Sequence, residues 1–344
     1  WRGRGAMARD ATWQLICHRP LLYHCSDFLT PDECDAVLRM ALPLLPPPVD
    51  EDKHGDQKQP RGRWKRRVDL EPSDSRLAPE DAALLRRLDQ RLAALTGVRT
   101  HGGELPWAVH ATPPTALLTD VEAEAEGASR RMALGLHVDT NNERQRRWLT
   151  FIAYLRTTPP TAGGHTVFPL AQRPGGLEAS SERLAASDIT GDERERLLPA
   201  AHRLLGHGLQ HTGRPGATLL PWRPEGTSRD AEDLLRHADR VAEAAALAAE
   251  AAPTSTCGSQ GLYWYPSGEG LAVPAREGEC VAFFTRSEAT AGAVDPHSWH
   301  GGAAVELGRA EGDGEGVAKW TLQRFREAPV EAQDANSIEA FALR

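Results

Sequence analysis

His137 and Asp139 stand two residues apart in Leu136-His137-Val138-Asp139-Thr140, and His300 opens His300-Gly301-Gly302 far downstream. Side chains two apart on a β-strand project from the same face. The pair can therefore occupy two adjacent corners of one metal ion, and a histidine from another strand can supply the third. Two imidazoles and one carboxylate on one face suit Fe(II), with the opposite face left open for O2 and a co-substrate. His297, three residues before His300, is a rival third ligand. Gly301-Gly302 favours His300, because small residues let backbone pass close to a metal pocket.

Several elements must position these groups. Thr30, Pro31 and Glu33 read as a capped helix start, followed by an apolar stripe of Cys34, Val37, Leu38 and Leu42 that Pro46-Pro47-Pro48 ends. Residues 49–76 are polar, carry the basic run Lys65-Arg66-Arg67 and read as a solvated loop. A second helix is predicted over Pro79 to Thr96, with Leu84, Leu85, Leu88, Leu92 and Leu95 on one side and Gly97 as its stop. The first hundred residues thus read as mostly helical, after an arm and a short strand at Pro20 to Tyr23. From Pro106 the pattern turns to short strands. Trp148 to Leu155 suits a strand covered on both faces, and Gly163-Gly164 turns the chain into another at Thr166-Val167-Phe168. Residues 171–260 interrupt the pattern with two helix-like stretches, near 192–205 and 229–251, and read as an insertion between strands. Strands resume at Leu271 to Val273, Glu279 to Thr285 and Lys319 to Phe325. This order predicts an α+β protein built on a β-sandwich or barrel.

Composition narrows the function classes. The chain has 344 residues, is 40% hydrophobic and 26% charged, and carries a net charge of −8. That balance argues against tight, non-specific nucleic-acid binding. No apolar run approaches the roughly 20 residues of a membrane span. The five cysteines form no C-x-x-C pair, so a thiolate zinc site is not expected, and the odd count leaves at least one thiol free within the chain. No Walker loop or G-x-S-x-G elbow is present, and nothing visible reads as a cleavable signal. His202, His207 and His211 in the insertion read as solvated histidines, and Trp148 and Trp299 as core or pocket-wall aromatics.

Five segments, in order, resemble the prolyl 4-hydroxylase type of 2-oxoglutarate- and Fe(II)-dependent dioxygenases. They are Phe28-Leu29-Thr30-Pro31-Asp32-Glu33-Cys34, His137-Val138-Asp139, Gly163-Gly164-His165-Thr166-Val167-Phe168-Pro169, the strand pair from Leu271 to Pro274 and Gly278 to Phe284, and His300-Gly301-Gly302 with Lys319-Trp320. The resemblance covers residues 20–170 and 261–328. It implies a double-stranded β-helix, or jelly roll, with N-terminal helices packed on one sheet. The implied division is an arm at 1–19, a dioxygenase domain at 20–328 with the partly helical insertion inside it, and a tail at 329–344. It further implies Fe(II) on His137, Asp139 and His300, and 2-oxoglutarate as co-substrate. Lys319 would pair with its far carboxylate, Thr166 would hydrogen-bond it, and ascorbate would keep the iron reduced. The implied reaction is hydroxylation of a proline-containing peptide by O2, with 2-oxoglutarate decarboxylated to succinate. Asp139 fills the corner that related halogenases leave to a halide, which favours hydroxylation. The implied compartment is the endoplasmic reticulum or secretory pathway.

The chain departs from the family pattern in four places. A tyrosine expected on the strand before the metal pair is matched by Ala111. His165 replaces a glutamate, and Phe325 stands where tryptophan is frequent. Lys319 lies further from His300 than usual, so Arg309 competes as the carboxylate anchor; Lys319, inside a strand-like segment, is favoured. Two other readings stay open: the same chemistry on a free amino acid or another protein side chain, and a non-catalytic jelly-roll binding module.

Overall fold

The computed structural model describes residues 12–46, 66–96, 99–115, 117–126, 129–139, 147–173, 184–185, 231–251, 261–285, 295–306 and 318–327. In chain order its elements are β1 (Thr12–His18), β2 (Leu21–Cys25), α1 (Pro31–Ala41), β3 (Arg66–Leu70), α2 (Pro79–Thr96), β4 (Trp107–Thr112), α3 (Asp120–Glu126), β5 (Met132–His137), β6 (Arg147–Tyr154), β7 (Thr166–Gln172), β8 (Leu184–Ala185), α4 (Ala231–Ala251), β9 (Tyr263–Trp264), β10 (Glu269–Val273), β11 (Cys280–Phe284), β12 (His300–Ala303) and β13 (Lys319–Glu327).

The strands form two sheets whose ladders are all antiparallel: β3-β4-β13-β6-β11-β2-β1-β8 and β5-β12-β7-β10-β9. From β4 onward the chain crosses between sheets at nearly every step. The exception is β9 to β10, which pair with each other in the small sheet. There β10 also pairs with β7, setting Phe168 opposite Leu271. Between β7 and β9 the described chain carries β8, which pairs with β1 of the large sheet, and α4, which covers the small sheet.

Side-chain alternation builds four layers. On β6, Phe151 and Ala153 face a core shared with α1 and α2, while Ile152 and Tyr154 face the small sheet. On β11, Phe284 faces the helices and Phe283 faces inward. The helix-side core gathers Trp13, Phe28, Leu85, Leu88, Trp107 and Trp148. On the far side, Val241, Ala242 and Ala245 of α4 cover Met132, Val167 and Ala272 of the small sheet. Burying such a leucine or phenylalanine contributes roughly 1.5–3 kcal/mol.

The α1 start carries the full reciprocal cap: the Thr30 hydroxyl accepts from the Glu33 amide at 3.2 Å, and the Glu33 carboxylate accepts from the Thr30 amide at 3.1 Å. Three expectations need correction. The arm at 1–19 contains a strand, because Thr12–His18 pairs with β2. The loop at 49–76 contains β3, which pairs with β4, so the described part of the first hundred residues mixes strands with helices. Leu42 is 53% exposed and leaves the α1 stripe, because the helix ends at Ala41 and tightens into a 3-10 turn containing Pro43. The stretch near 192–205, Arg309, Gly97, Lys65, the tail at 329–344 and the three insertion histidines lie outside the described residues.

Candidate metal centre

The centre begins with register. Antiparallel pairing of β5 with β12 sets His300 opposite His137, and partners directly opposite share a face. Their rings sit 4.5 Å apart, centroid to centroid. Asp139, beyond the end of β5, brings its Oδ1 to 3.6 Å from His137 Nε2 and its Oδ2 to 3.4 Å from His300 Nε2. One ligand atom from each of the three residues lies within 4.8 Å of the others. His297 is not in that group among the described residues; its Nδ1 lies 3.0 Å from Asp295 Oδ1 in the turn before β12.

Hydrogen bonds fix the protonation that a metal needs. His137 Nδ1 lies 3.0 Å from the Gly135 carbonyl, and His300 Nδ1 lies 2.9 Å from the Ser298 carbonyl. A carbonyl only accepts, so each Nδ1 carries a proton, which leaves each Nε2 as the nitrogen for the metal. Burial opposes the charge on Asp139. In the metal-free site the charges of protonated His300 and His137 and of the Arg147 guanidinium outweigh it and hold the carboxyl well below the usual carboxylate range; an incoming metal would displace the Nε2 protons. Thr150 donates to Asp139 Oδ2 at 2.6 Å, and Arg147 donates to Oδ1 at 3.3 Å and to the Asp139 carbonyl at 3.1 Å. Arg147 is held in turn by the Phe325 ring, 3.6 Å from its guanidinium carbon. Two neutral imidazoles and an ionised carboxylate make a donor set that fits Fe(II).

The three residues open into a cavity between the sheets of about 510 Å³, counted to its open mouth. Its other wall is β13, where Lys319, Thr321 and Gln323 point inward at the strand period of two. Lys319 is 5% exposed. Its Nζ donates to Thr166 Oγ1 at 3.2 Å, and the Tyr154 hydroxyl donates to the same oxygen at 2.9 Å. A hydroxyl oxygen accepts twice and donates once. With both acceptor positions occupied, the Thr166 proton is left to donate. Burial pushes the Tyr154 phenol up, so it stays protonated as that donor.

The turn before β7 follows from its glycines. Gly163 and Gly164 both have positive φ, at 85° and 70°, and a Cβ on Gly163 would lie 2.3 Å from the Ala304 carbonyl oxygen. His165 follows, buried and outside the cavity wall. Burial, then the charges of Lys319 and Arg276, pull its pKa to about 3.

One sequence-level match needs correction. Ala111 pairs with Trp320, which packs against the helix-side core, so both face away from the cavity. The inward positions on β4 are Thr112, opposite Lys319, and His110, opposite Thr321. A tyrosine near Lys319, Tyr154, comes instead from β6. Tyr154, Thr150 and Arg147 were not assigned to the site by sequence, although residues 150, 152 and 154 already marked one face of a recognised strand. Of the basic run, Arg66 and Arg67 lie on β3, where Arg66 donates to the Pro46 carbonyl and Arg67 pairs with Asp69 at 2.7 Å. The four described cysteines, Cys17, Cys25, Cys34 and Cys280, are free thiols, and no helix among the described residues is long and apolar enough to cross a membrane.

No family model matches the chain, and neither does any curated protein. Solved structures similar to it include the viral collagen prolyl hydroxylase vCPH from Paramecium Bursaria Chlorella virus-1 in its 2OG complex, at 10% identity and a TM-score of 0.41, covering 91% of this chain and 98% of that one. A Pseudomonas putida prolyl-4-hydroxylase shares 12% identity at a TM-score of 0.34, covering 91% and 95%. EvdO2 from Micromonospora carbonacea var. aurantiaca, complexed with 2-oxoglutarate, shares 13% identity at a TM-score of 0.40, covering 92% and 90%.

Proposed function

We propose that this chain is an Fe(II)- and 2-oxoglutarate-dependent dioxygenase that hydroxylates a peptide side chain, with prolyl 4-hydroxylation as the reaction to test first. One observation carries the reading: the His137, Asp139 and His300 ligand atoms and the buried Lys319 ammonium line a single cavity. The order of β4, β5, β6, β7, β10, β11, β12 and β13, which crosses between two sheets at each step except the paired β7 and β10, supports a double-stranded β-helix as its frame.

When bound, Fe(II) and 2-oxoglutarate supply the oxidising chemistry, in which O2 is consumed as 2-oxoglutarate is decarboxylated to succinate and the substrate is hydroxylated. The chain's own residues do the positioning. His137, Asp139 and His300 hold the ion from one side. Thr150 and Arg147 keep Asp139 oriented and ionised. Lys319 offers a fixed cation to the far carboxylate of the co-substrate, and Thr166 offers its remaining proton. Ile152 and Tyr154 extend the inter-sheet core behind the cavity, which excludes water and strengthens the charge pairing.

The test is succinate release by the purified chain, with proline-rich and collagen-like peptides followed by mass spectrometry for the gain of one oxygen. Turnover that requires Fe(II), 2-oxoglutarate and peptide together supports the reading. Succinate coupled only to a free amino acid or another side chain moves the substrate but keeps the chemistry. Bound iron with no decarboxylation on any peptide favours a non-catalytic binding module. Ala111 was the sequence feature behind that last reading, and Tyr154 beside Lys319 weakens it.

A further inference from the structure

The two ligands His137 and Asp139 depend on β5, and β5 is an edge strand: only β12 pairs with it among the described residues. That ladder is irregular, with register shifts on both sides of Gly302. An edge strand has one ladder to set its register, and a one-residue slip moves every side chain to the other face. Such a slip would carry His137 away from His300.

The root of β5 is fastened from outside the sheet. Asp239 on α4 accepts from the Ser129 hydroxyl at 2.5 Å, from the Arg130 amide at 3.1 Å and from the Arg131 amide at 3.1 Å. Ser129 passes the hold on, because its oxygen accepts from the Met132 amide at 2.8 Å. Arg131 then ties the root to two other elements. Its guanidinium reaches Glu306, just past β12, at 2.5 Å and Glu243 of α4 at 3.2 Å, while its carbonyl accepts from the Ala304 amide at 2.7 Å. One helix face thus fixes where both β5 and the exit of β12 begin their pairing.

We propose that Asp239 is a positioning residue for the metal centre: through Ser129, Arg130 and Arg131 it holds β5 in register, so that His137 and Asp139 meet His300. This gives α4 a role as a brace, and it rests on the metal reading above. Asp239 touches no ligand atom and acts only through the strand.

The experiment compares Asp239→Ala, Asp239→Asn and His237→Ala by Co(II) titration and by amide hydrogen exchange over residues 132–137. His237 is the control, since its Nε2 binds the Glu269 carbonyl at 3.1 Å and ties the same helix to β10 instead. Asp239→Ala is expected to weaken Co(II) binding on the order of tenfold, the scale of losing a supporting contact at a metal site, and to speed exchange in β5. Asp239→Asn, which keeps one acceptor oxygen, falls between it and the wild type and decides the matter if the alanine variant does not fold. His237→Ala lowers the melting temperature while both readouts stay at wild-type values. Asp239 variants with wild-type Co(II) affinity and wild-type exchange overturn the proposal, as does a His237→Ala effect equal to theirs. A wild-type chain that binds no Co(II) defeats the metal reading itself, and the exchange comparison then tests the brace alone: faster β5 exchange in the Asp239 variants supports it, and unchanged exchange overturns it.

Discussion

The two ends of the cavity are built on opposite plans. At the metal end, His137 is 47% exposed on an edge strand and Asp139 lies past its end. At the anchor end, Lys319 is buried on β13, which is paired on both sides by β4 and β6, and Thr166 and Tyr154 fix its ammonium. On the proposed function, the difference follows what each end would receive. A metal ion must enter from solvent, so His137 stands open while Thr150 and Arg147 hold the buried Asp139. A buried cation that must desolvate a carboxylate has to be preorganised, since ionic groups taken from water repay the cost only in fixed, hydrogen-bonded geometry.

Substitutions that act on one end only would sharpen this contrast. Asp139→Ala removes the sole anion of the ligand set, and metal affinity measured by Co(II) titration is expected to fall by about a hundredfold or more, with turnover lost. Retained turnover would break the assigned ligand role. Lys319→Met acts at the other end. Leaving a desolvated carboxylate without its cation costs about 3–5 kcal/mol, so the KM for 2-oxoglutarate should rise by roughly a hundredfold or more while Co(II) affinity holds. Arg309→Ala should leave that KM unchanged; the reverse pair of results transfers the anchor to Arg309. Thr150→Val is milder. It deletes the 2.6 Å bond to Asp139 Oδ2 at nearly constant volume, and about a tenfold loss of metal affinity is expected with no change at the anchor. A change in the 2-oxoglutarate constant instead would mean that the two ends are mechanically coupled.

The sequence was most legible where one residue type has one meaning. The α1 cap at Thr30, Pro31 and Glu33 and the leucine face of α2 appear as read, because caps and helical periodicity are local. The pairing of His300 with His137 came from ligand chemistry rather than from any local pattern. Strands with mixed or polar faces were harder. β3, with Arg66, Arg67 and Asp69 among its five residues, reads as loop until β4 supplies its ladder. Facing was hardest of all: Ala111 and Thr112 are neighbours in sequence, yet only the β13 register tells which of them enters the cavity. The brace on β5 had no sequence signal, since Asp239 and Ser129 are separated by 110 residues and neither belongs to a motif.

The smallest predicted effect tests how the anchor end is wired. Thr166 Oγ1 accepts from both Lys319 and Tyr154, so removing a donor and removing the acceptor differ in kind. Tyr154→Phe deletes one donor and leaves Thr166 and Lys319 bonded, a net loss of about 1 kcal/mol and a few-fold rise in the KM for 2-oxoglutarate. Thr166→Val removes the shared acceptor of two buried donors, Tyr154 and Lys319, where Tyr154→Phe removes one donor. Losing an acceptor in a buried site costs roughly 1–3 kcal/mol, so this variant should melt lower and show the larger KM change. If Tyr154→Phe instead raises KM as far as Lys319→Met does, the phenol contacts the co-substrate directly. The anchor would then be a pair of donors on β6 and β13, and Thr166 would serve only as the spacer that keeps them apart.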